Sequence, residues 1–286
     1  MQIDTYKSGF VAVIGRPNVG KSTFLNKMVG RKVAIISDKP QTTRNRILGI
    51  KTTEEYQIAF TDTPGIHKPQ TELGRRMVHA SYDATNGVDC ILFMTTPVKS
   101  VLKGDEIILS NLKKTKLPVF LVINKVDQLK HFKDIDLTIA LYKDLYPFAG
   151  VYPISVLEDK NLDHLLEDIK TVLPFGPKYY PEDMLSDHPV RFLISEAIRE
   201  KILKIMALAL EINPPEIKGI GKKRTAVFVW WSPHCNSFEV SIYDDGWDAG
   251  KGELYRINIC TSWDDSEEEL DALIKRLEEI REEVAE

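Results

Sequence analysis

From residue 9 to about 173, short apolar runs alternate with stretches whose apolar positions recur at helical spacing. The runs Gly9–Gly15, Arg46–Lys51, Tyr56–Asp62, Cys90–Thr95, Pro118–Asn124 and Val151–Ile154 predict strands, the second and third as a pair. Helices are expected over Lys21–Val29, Glu72–Ala84, Gly104–Leu112, Ile135–Tyr146 and Leu162–Val172. Such alternation indicates an α/β domain: a mostly parallel sheet with helices on both faces. Ligands bind in such sheets at the carboxyl ends of the strands.

Five residues from Pro174 to Pro189 are proline or glycine, namely Pro174, Gly176, Pro177, Pro181 and Pro189. Proline fixes φ and removes an amide donor, so regular structure is expected to stop here, in a linker over 175–189. Helical spacing resumes at Arg191–Leu210. Strand candidates follow at Thr225–Trp231, Ser237–Tyr243 and Leu254–Thr261. A last helix is expected from Ser266, where Glu269 completes a capping-box pattern. The reading is a domain over 8–174 and a smaller α+β domain over 190–286.

The 286 residues suffice for two domains. No apolar run approaches the ~20 residues that span a bilayer, and Met1–Phe10 lacks the apolar core of a secretory signal, so a cytoplasmic location is expected. Three widely spaced cysteines, with no CxxC pair, read as reduced buried thiols. The net charge of −4 is uneven: residues 189–286 hold 13 Lys/Arg against 20 Asp/Glu, or −7. That balance argues against nucleic acid as the natural ligand of the second domain alone.

Three motifs carry chemistry. Gly15-Arg16-Pro17-Asn18-Val19-Gly20-Lys21-Ser22 fits GxxxxGK[ST] between a predicted strand and helix, with Thr23 in the first helical turn. Its glycines let successive N–H groups turn towards phosphate oxygens, Lys21 adds a point charge, and Ser22 can coordinate Mg²⁺. Asp62-Thr63-Pro64-Gly65 ends another strand; Asp62 can hold the Mg²⁺ shell and Gly65 can present its amide to a γ-phosphate. Asn124-Lys125-Val126-Asp127 ends a third. The Asp127 carboxylate can accept from guanine N1–H and the 2-amino group, a donor pair that adenine lacks. Asn124 would brace that loop and the Lys125 stem cover the base. Ser155-Val156-Leu157 is expected to complete the base pocket through its backbone.

In this order the motifs resemble those of translation-factor-type GTPases. Gly15–Asn26 (GRPNVGKSTFLN), Gln41–Arg46 (QTTRNR), Asp62–Pro69 (DTPGIHKP) and Tyr180–Arg199 (YPEDMLSDHPVRFLISEAIR) narrow the likeness to the bacterial Era GTPase family, over residues 8 to about 206. The resemblance implies a P-loop NTPase G domain that binds GTP and GDP, hydrolyses GTP and switches conformation. It implies small-subunit ribosomal RNA and the 30S subunit as partners, a monomer, and peripheral contact with the inner face of the cell membrane. Thr43, with Thr42 as the alternative, matches a switch threonine that joins the Mg²⁺ shell. Ile66 stands where Ras-like proteins carry a water-orienting glutamine. In relatives a K⁺ ion held by the asparagine at the Asn18 position supplies the missing charge; otherwise Asn18 only braces the loop. Lys21, Asn18, Thr43 and Gly65 are thus the expected catalytic set.

The second domain departs from the family. Era proteins carry there a KH domain that grips RNA with a GxxG loop between two helices. Gly219–Lys222 lacks the second glycine, and Gly246–Gly250 is flanked by Asp244, Asp245 and Asp248. Lys218, Lys222, Lys223 and Arg224 near Trp230 and Trp231 offer charge beside stacking surfaces, or a solvated turn before a core strand. The alternative function is a GTPase whose altered second domain binds a protein.

Overall fold

The computed structural model describes residues 5–36, 47–62, 87–129, 133–212, 226–232, 237–243, 255–260 and 266–285. The chain forms two compact units, Met1–Leu193 and Ile194–Glu286.

The first unit is built on a six-stranded sheet: β1 (Lys7–Gly15), β2 (Ile47–Thr52), β3 (Tyr56–Asp62), β4 (Cys90–Thr95), β5 (Val119–Ile123) and β6 (Gly150–Pro153). The order is β2-β3-β1-β4-β5-β6; every pairing is parallel except β2 with β3. β4 and β5 are buried at every residue, as continuous apolar runs require when both faces are covered. One face packs on α1 (Lys21–Val29) and α4 (Leu162–Val172) through Phe24, Leu25, Leu165 and Ile169. The other packs on α2 (Lys103–Leu112) and α3 (Lys133–Lys143) through Ile108, Leu112 and Tyr142. α3 stops three residues before its expected end at Tyr146; the apolar spacing runs on because Tyr146 and Phe148 still pack in that core. The expected helix Glu72–Ala84 lies outside the described residues.

The proline-rich stretch after α4 has no regular helix or strand, yet it is fastened to the sheet. Ser8 N donates to the Pro174 carbonyl at 3.1 Å and Ile50 N to that of Leu185 at 2.9 Å. Gln57, a buried amide in β3, accepts from the Tyr179 and Tyr180 N–H groups at 2.7 and 2.9 Å and donates to the Tyr180 carbonyl at 2.9 Å. Tyr180 and Met184 then cover Leu48, Ile50 and Ala59. A polar side chain can sit inside a sheet at little cost when its hydrogen-bonding capacity is met in this way.

The second unit contains most of α5 (Val190–Ile212), an antiparallel sheet of β7 (Ala226–Ser232), β8 (Ser237–Tyr243) and β9 (Tyr255–Cys260), and α6 (Ser266–Ala285). Its core joins Ile205 and Leu208 of α5, Val227, Val240 and Ile242 of the sheet, and Leu270, Leu273, Leu277 and Ile280 of α6. Among the described residues no two helices of this unit follow one another, so the helix–GxxG–helix setting is not found there. Both glycine-containing stretches and the Lys218–Arg224 cluster lie outside the described residues. No helix among the described residues is long and apolar enough to cross a membrane.

Candidate functional site

The motifs gather at the carboxyl ends of β1, β3, β5 and β6. β1 ends at Gly15, and the chain turns through Arg16–Gly20 into α1. Two positions of this loop take left-handed backbone, Asn18 at φ 62° and Gly20 at φ 101°. A Cβ on Gly20 would lie 2.3 Å from Asn124 Nδ2, and one on Gly15 would lie 2.2 Å from the Met94 carbonyl oxygen. Glycine at both places is therefore a demand of close packing against the neighbouring strand end and loop.

Lys21 opens α1 and folds back inside the loop. Its Nζ donates to the carbonyls of Gly15 at 3.1 Å and Arg16 at 2.8 Å. Burial lowers its pKa to about 8; the charge of Asp62 opposes that and the charge of Arg16 adds to it. Ser22 Oγ donates to Asp62 Oδ2 at 2.7 Å across the β1–β3 pair, so a hydroxyl and a carboxylate converge beside the loop. Hard oxygen donors of this kind suit Mg²⁺, which takes one or two protein ligands and fills its octahedron with phosphate and water. Among the described residues no group of three His, Cys, Asp or Glu could hold a metal by itself. Thr43, Thr63, Pro64 and Gly65 lie outside the described residues.

Asn124, at the end of β5, ties three of the motifs together. Its Nδ2 donates to the Val19 carbonyl at 2.9 Å and its Oδ1 accepts from Val156 N at 3.2 Å. Lys125 follows with left-handed backbone, φ 66°, and Val126–Gln128 makes one 3-10 turn that carries Asp127. Ser155 Oγ donates to Asp127 Oδ1 at 2.5 Å and accepts from Glu158 N at 3.2 Å. The sequence gives Ser155 a backbone role only; in the structure its hydroxyl meets Asp127 from 28 residues away, through the β5–β6 pairing. Leu157 is exposed. A cleft of about 390 Å³ opens between the two loops, lined by Arg16, Pro17, Asn18 and Val19 on one side and Lys125 and Leu129 on the other.

The arrangement can receive an anionic group over the Lys21 loop and a planar donor-bearing group at Asp127, joined across the cleft. A carboxylate oriented by a hydroxyl and a buried ammonium 21 residues into the chain are complementary to the two ends of a guanine nucleotide.

The family model described as 50S ribosome-binding GTPase matches residues 10–125. GTPase Era of Clostridium botulinum is 51% identical over 201 residues, covering 70% of this chain and 68% of its own. GTPase Era of Clostridium tetani is 53% identical over 203 residues, covering 71% and 68%. The crystal structure of Era in complex with MgGDPNP and nucleotides 1506–1542 of 16S ribosomal RNA aligns with a TM-score of 0.65 at 37% identity, over 80% of this chain and 75% of that one. A variant of Aquifex aeolicus Era bound to GDP·AlF4− aligns with the same TM-score at 38% identity and the same coverage.

Proposed function

Because this chain belongs to the GTPase Era family and hydrolyses GTP to GDP and phosphate, we propose that it works as a nucleotide-controlled switch on small-subunit ribosomal RNA during subunit assembly. In this reading the backbone amides of Gly15–Ser22 enclose the phosphates and Lys21 leaves its carbonyl partners for the β- and γ-phosphate oxygens. Ser22 and Asp62, with Thr43, would hold Mg²⁺, and Gly65 would donate its amide to the γ-phosphate. Magnesium held there would supply positive charge against that developing on the phosphates. Asp127, oriented by Ser155, reads the guanine edge, while Lys125 lies along the base.

Hydrolysis needs no covalent intermediate; positioning of water and stabilisation of developing charge suffice. Ile66 has no hydrogen-bonding group with which to orient water. We therefore assign Asn18 a part in holding a monovalent cation: it lines the cleft next to the phosphate loop and offers a neutral carbonyl oxygen. Loss of the γ-phosphate then releases the Ser37–Arg46 and Gly65–Arg75 segments, and the state of the nucleotide becomes a change of shape.

The RNA half of the proposal is carried by one observation, the likeness over 80% of this chain to an Era structure that contains 16S ribosomal RNA. The acidic balance of residues 189–286 stands against a GxxG-type grip. The test is filter binding of the full chain, loaded with a non-hydrolysable GTP analogue, to a single strand from the 3′ end of small-subunit RNA. Binding that weakens steeply with salt is expected. Absence of binding at low ionic strength sinks the RNA half and leaves the GTPase half standing.

A further inference from the structure

Behind the phosphate loop stands a buried polar cluster in which Arg16 of the loop meets Asp105, Thr95 and Tyr142, three residues that none of the motifs contains. Asp105, in the first turn of α2, has no exposed surface. Its Oδ2 accepts from Arg16 Nε at 2.8 Å, from the Tyr142 hydroxyl at 2.5 Å and from the Thr95 hydroxyl at 3.3 Å. The Thr95 and Tyr142 hydroxyls are 3.1 Å apart, and an Arg16 terminal nitrogen reaches Thr95 Oγ1 at 3.4 Å. Among the described residues Asp105 Oδ1 has no hydrogen-bond partner. Burial and the Asp105 charge push the Tyr142 phenol above its ordinary value, so it stays a donor.

A carboxylate taken wholly out of water costs several kcal/mol, and replacing a buried ion pair by well-packed apolar groups is often neutral or stabilising. Fold stability alone therefore does not call for a charge at this place. The position of Arg16 does. Arg16 is the second residue of the loop, and its own carbonyl takes the Lys21 ammonium at 2.8 Å. Thr95 likewise gives its main-chain carbonyl to Asn124 N at 2.9 Å. Asp105 is thus one residue removed, through Arg16 and Thr95, from the lysine of the phosphate loop and from the asparagine that braces the base loop.

We propose that Asp105 is a positioning residue for GTP hydrolysis: through Arg16 it fixes the first limb of the Gly15–Ser22 loop before nucleotide arrives. Thr95 and Tyr142 aim the carboxylate. A loop already set when nucleotide binds spends less of its binding energy on ordering, and its amides need not reorganise as charge develops. The inference rests on the reading of Gly15–Ser22 as the phosphate loop.

A double-mutant cycle on the full chain tests it, with kcat and KM for GTP and Kd for GDP measured for Asp105→Asn, Arg16→Gln and the pair. Each single change is expected to lower kcat/KM about tenfold, and the pair to lose no more than the worse single, because Asp105 acts through Arg16. If the losses multiply, or if Asp105→Asn lowers only the melting temperature, Asp105 is a pin for α2 and the proposal falls. Should Asp105→Asn fail to fold, Tyr142→Phe keeps the ring against Phe93 and removes one donor. It is expected to cost about threefold in kcat/KM in the native background and nothing in the Arg16→Gln background; an equal loss in both overturns the proposal. Lys21→Ala serves as the control on the premise. If it binds GDP as tightly as the native chain, the phosphate-loop reading is wrong, whatever the cycle shows.

Discussion

The side-chain amide of Asn124 donates to the carbonyl of Val19 at 2.9 Å and so fastens the base-side loop to the phosphate-side loop. Its other end accepts from Val156 N, and the residue is buried. Asn124→Ala strands a carbonyl and an N–H in a dry site, at about 1–3 kcal/mol each. We expect GDP and GTP affinity to fall by about ten- to a hundredfold together, with the preference for guanine over adenine nucleotides kept. Competition binding against GDP and ADP checks this; a selective loss for guanine would place Asn124 on the base itself.

Asp127 is the residue expected to choose the base. Its carboxylate is held by Ser155 Oγ at 2.5 Å. Asp127→Asn turns one acceptor into a donor and suits xanthine, which carries an oxygen in place of the 2-amino group. GTP turnover should drop by about a hundredfold or more and XTP turnover should rise above it. Steady-state rates with both nucleotides decide; an undiminished GTP preference removes the role. Ser155→Ala should weaken GTP binding in the same direction by a few-fold.

The Lys21 ammonium is buried, and its pKa is lowered from 10.5 to about 8. Phosphate binds the charged form and raises the value again, so nucleotide uptake above about pH 8 is coupled to uptake of a proton. Affinity should be level below about pH 8 and weaken by about tenfold per pH unit above it. Stability of the nucleotide-free chain goes the other way. Between about 8 and 10.5 the unfolded chain carries the proton and the folded chain does not, so this residue's contribution to stability rises with pH. Calorimetry in buffers of different ionisation enthalpy measures both affinity and proton uptake. A pH-independent affinity would exclude Lys21 as the phosphate partner.

Asn18 separates two accounts of hydrolysis. If it helps to hold K⁺ beside the phosphates, replacing K⁺ by Na⁺ at constant ionic strength should slow single-turnover hydrolysis by about tenfold or more. Asn18→Ala should be slow in both salts. Equal native rates in K⁺ and Na⁺ would leave Asn18 as a brace of the loop, consistent with its left-handed backbone alone.

Much of the first unit is legible in the chain because its strands are uninterrupted apolar runs. Cys90–Thr95 and Leu162–Val172 match the observed β4 and α4 residue for residue, and the GxxxxGKS sequence lies between strand and helix as its chemistry demands. What was illegible depends on partners distant in sequence. Asp105, in Lys103-Gly104-Asp105-Glu106, looks like an ordinary solvated acid in a first helical turn; only the packing of α2 against β4 and α3 turns it inwards to Arg16. Gln57 interrupts an apolar strand; beyond its cross-strand bond to Thr52 Oγ1, most of its hydrogen-bonding capacity is met by the backbone of Tyr179 and Tyr180 more than 120 residues on. The glycine stretches weighed for the second unit, Gly219–Lys222 and Gly246–Gly250, lie outside the described residues; what is legible there is the antiparallel strand pattern, since Ser237–Tyr243 matches β8 residue for residue.

The fastening of residues 174–186 to β1, β2 and β3 also determines where the chain can be cut. A fragment ending at Leu173 keeps every nucleotide motif. It would nevertheless strip the Gln57 amide of the Tyr179 and Tyr180 backbone and lay bare the outer edge of β2, an open template for another strand. The smallest fragment that stays monodisperse with GDP bound should therefore end beyond Ser186, and light scattering on the two truncations would tell them apart.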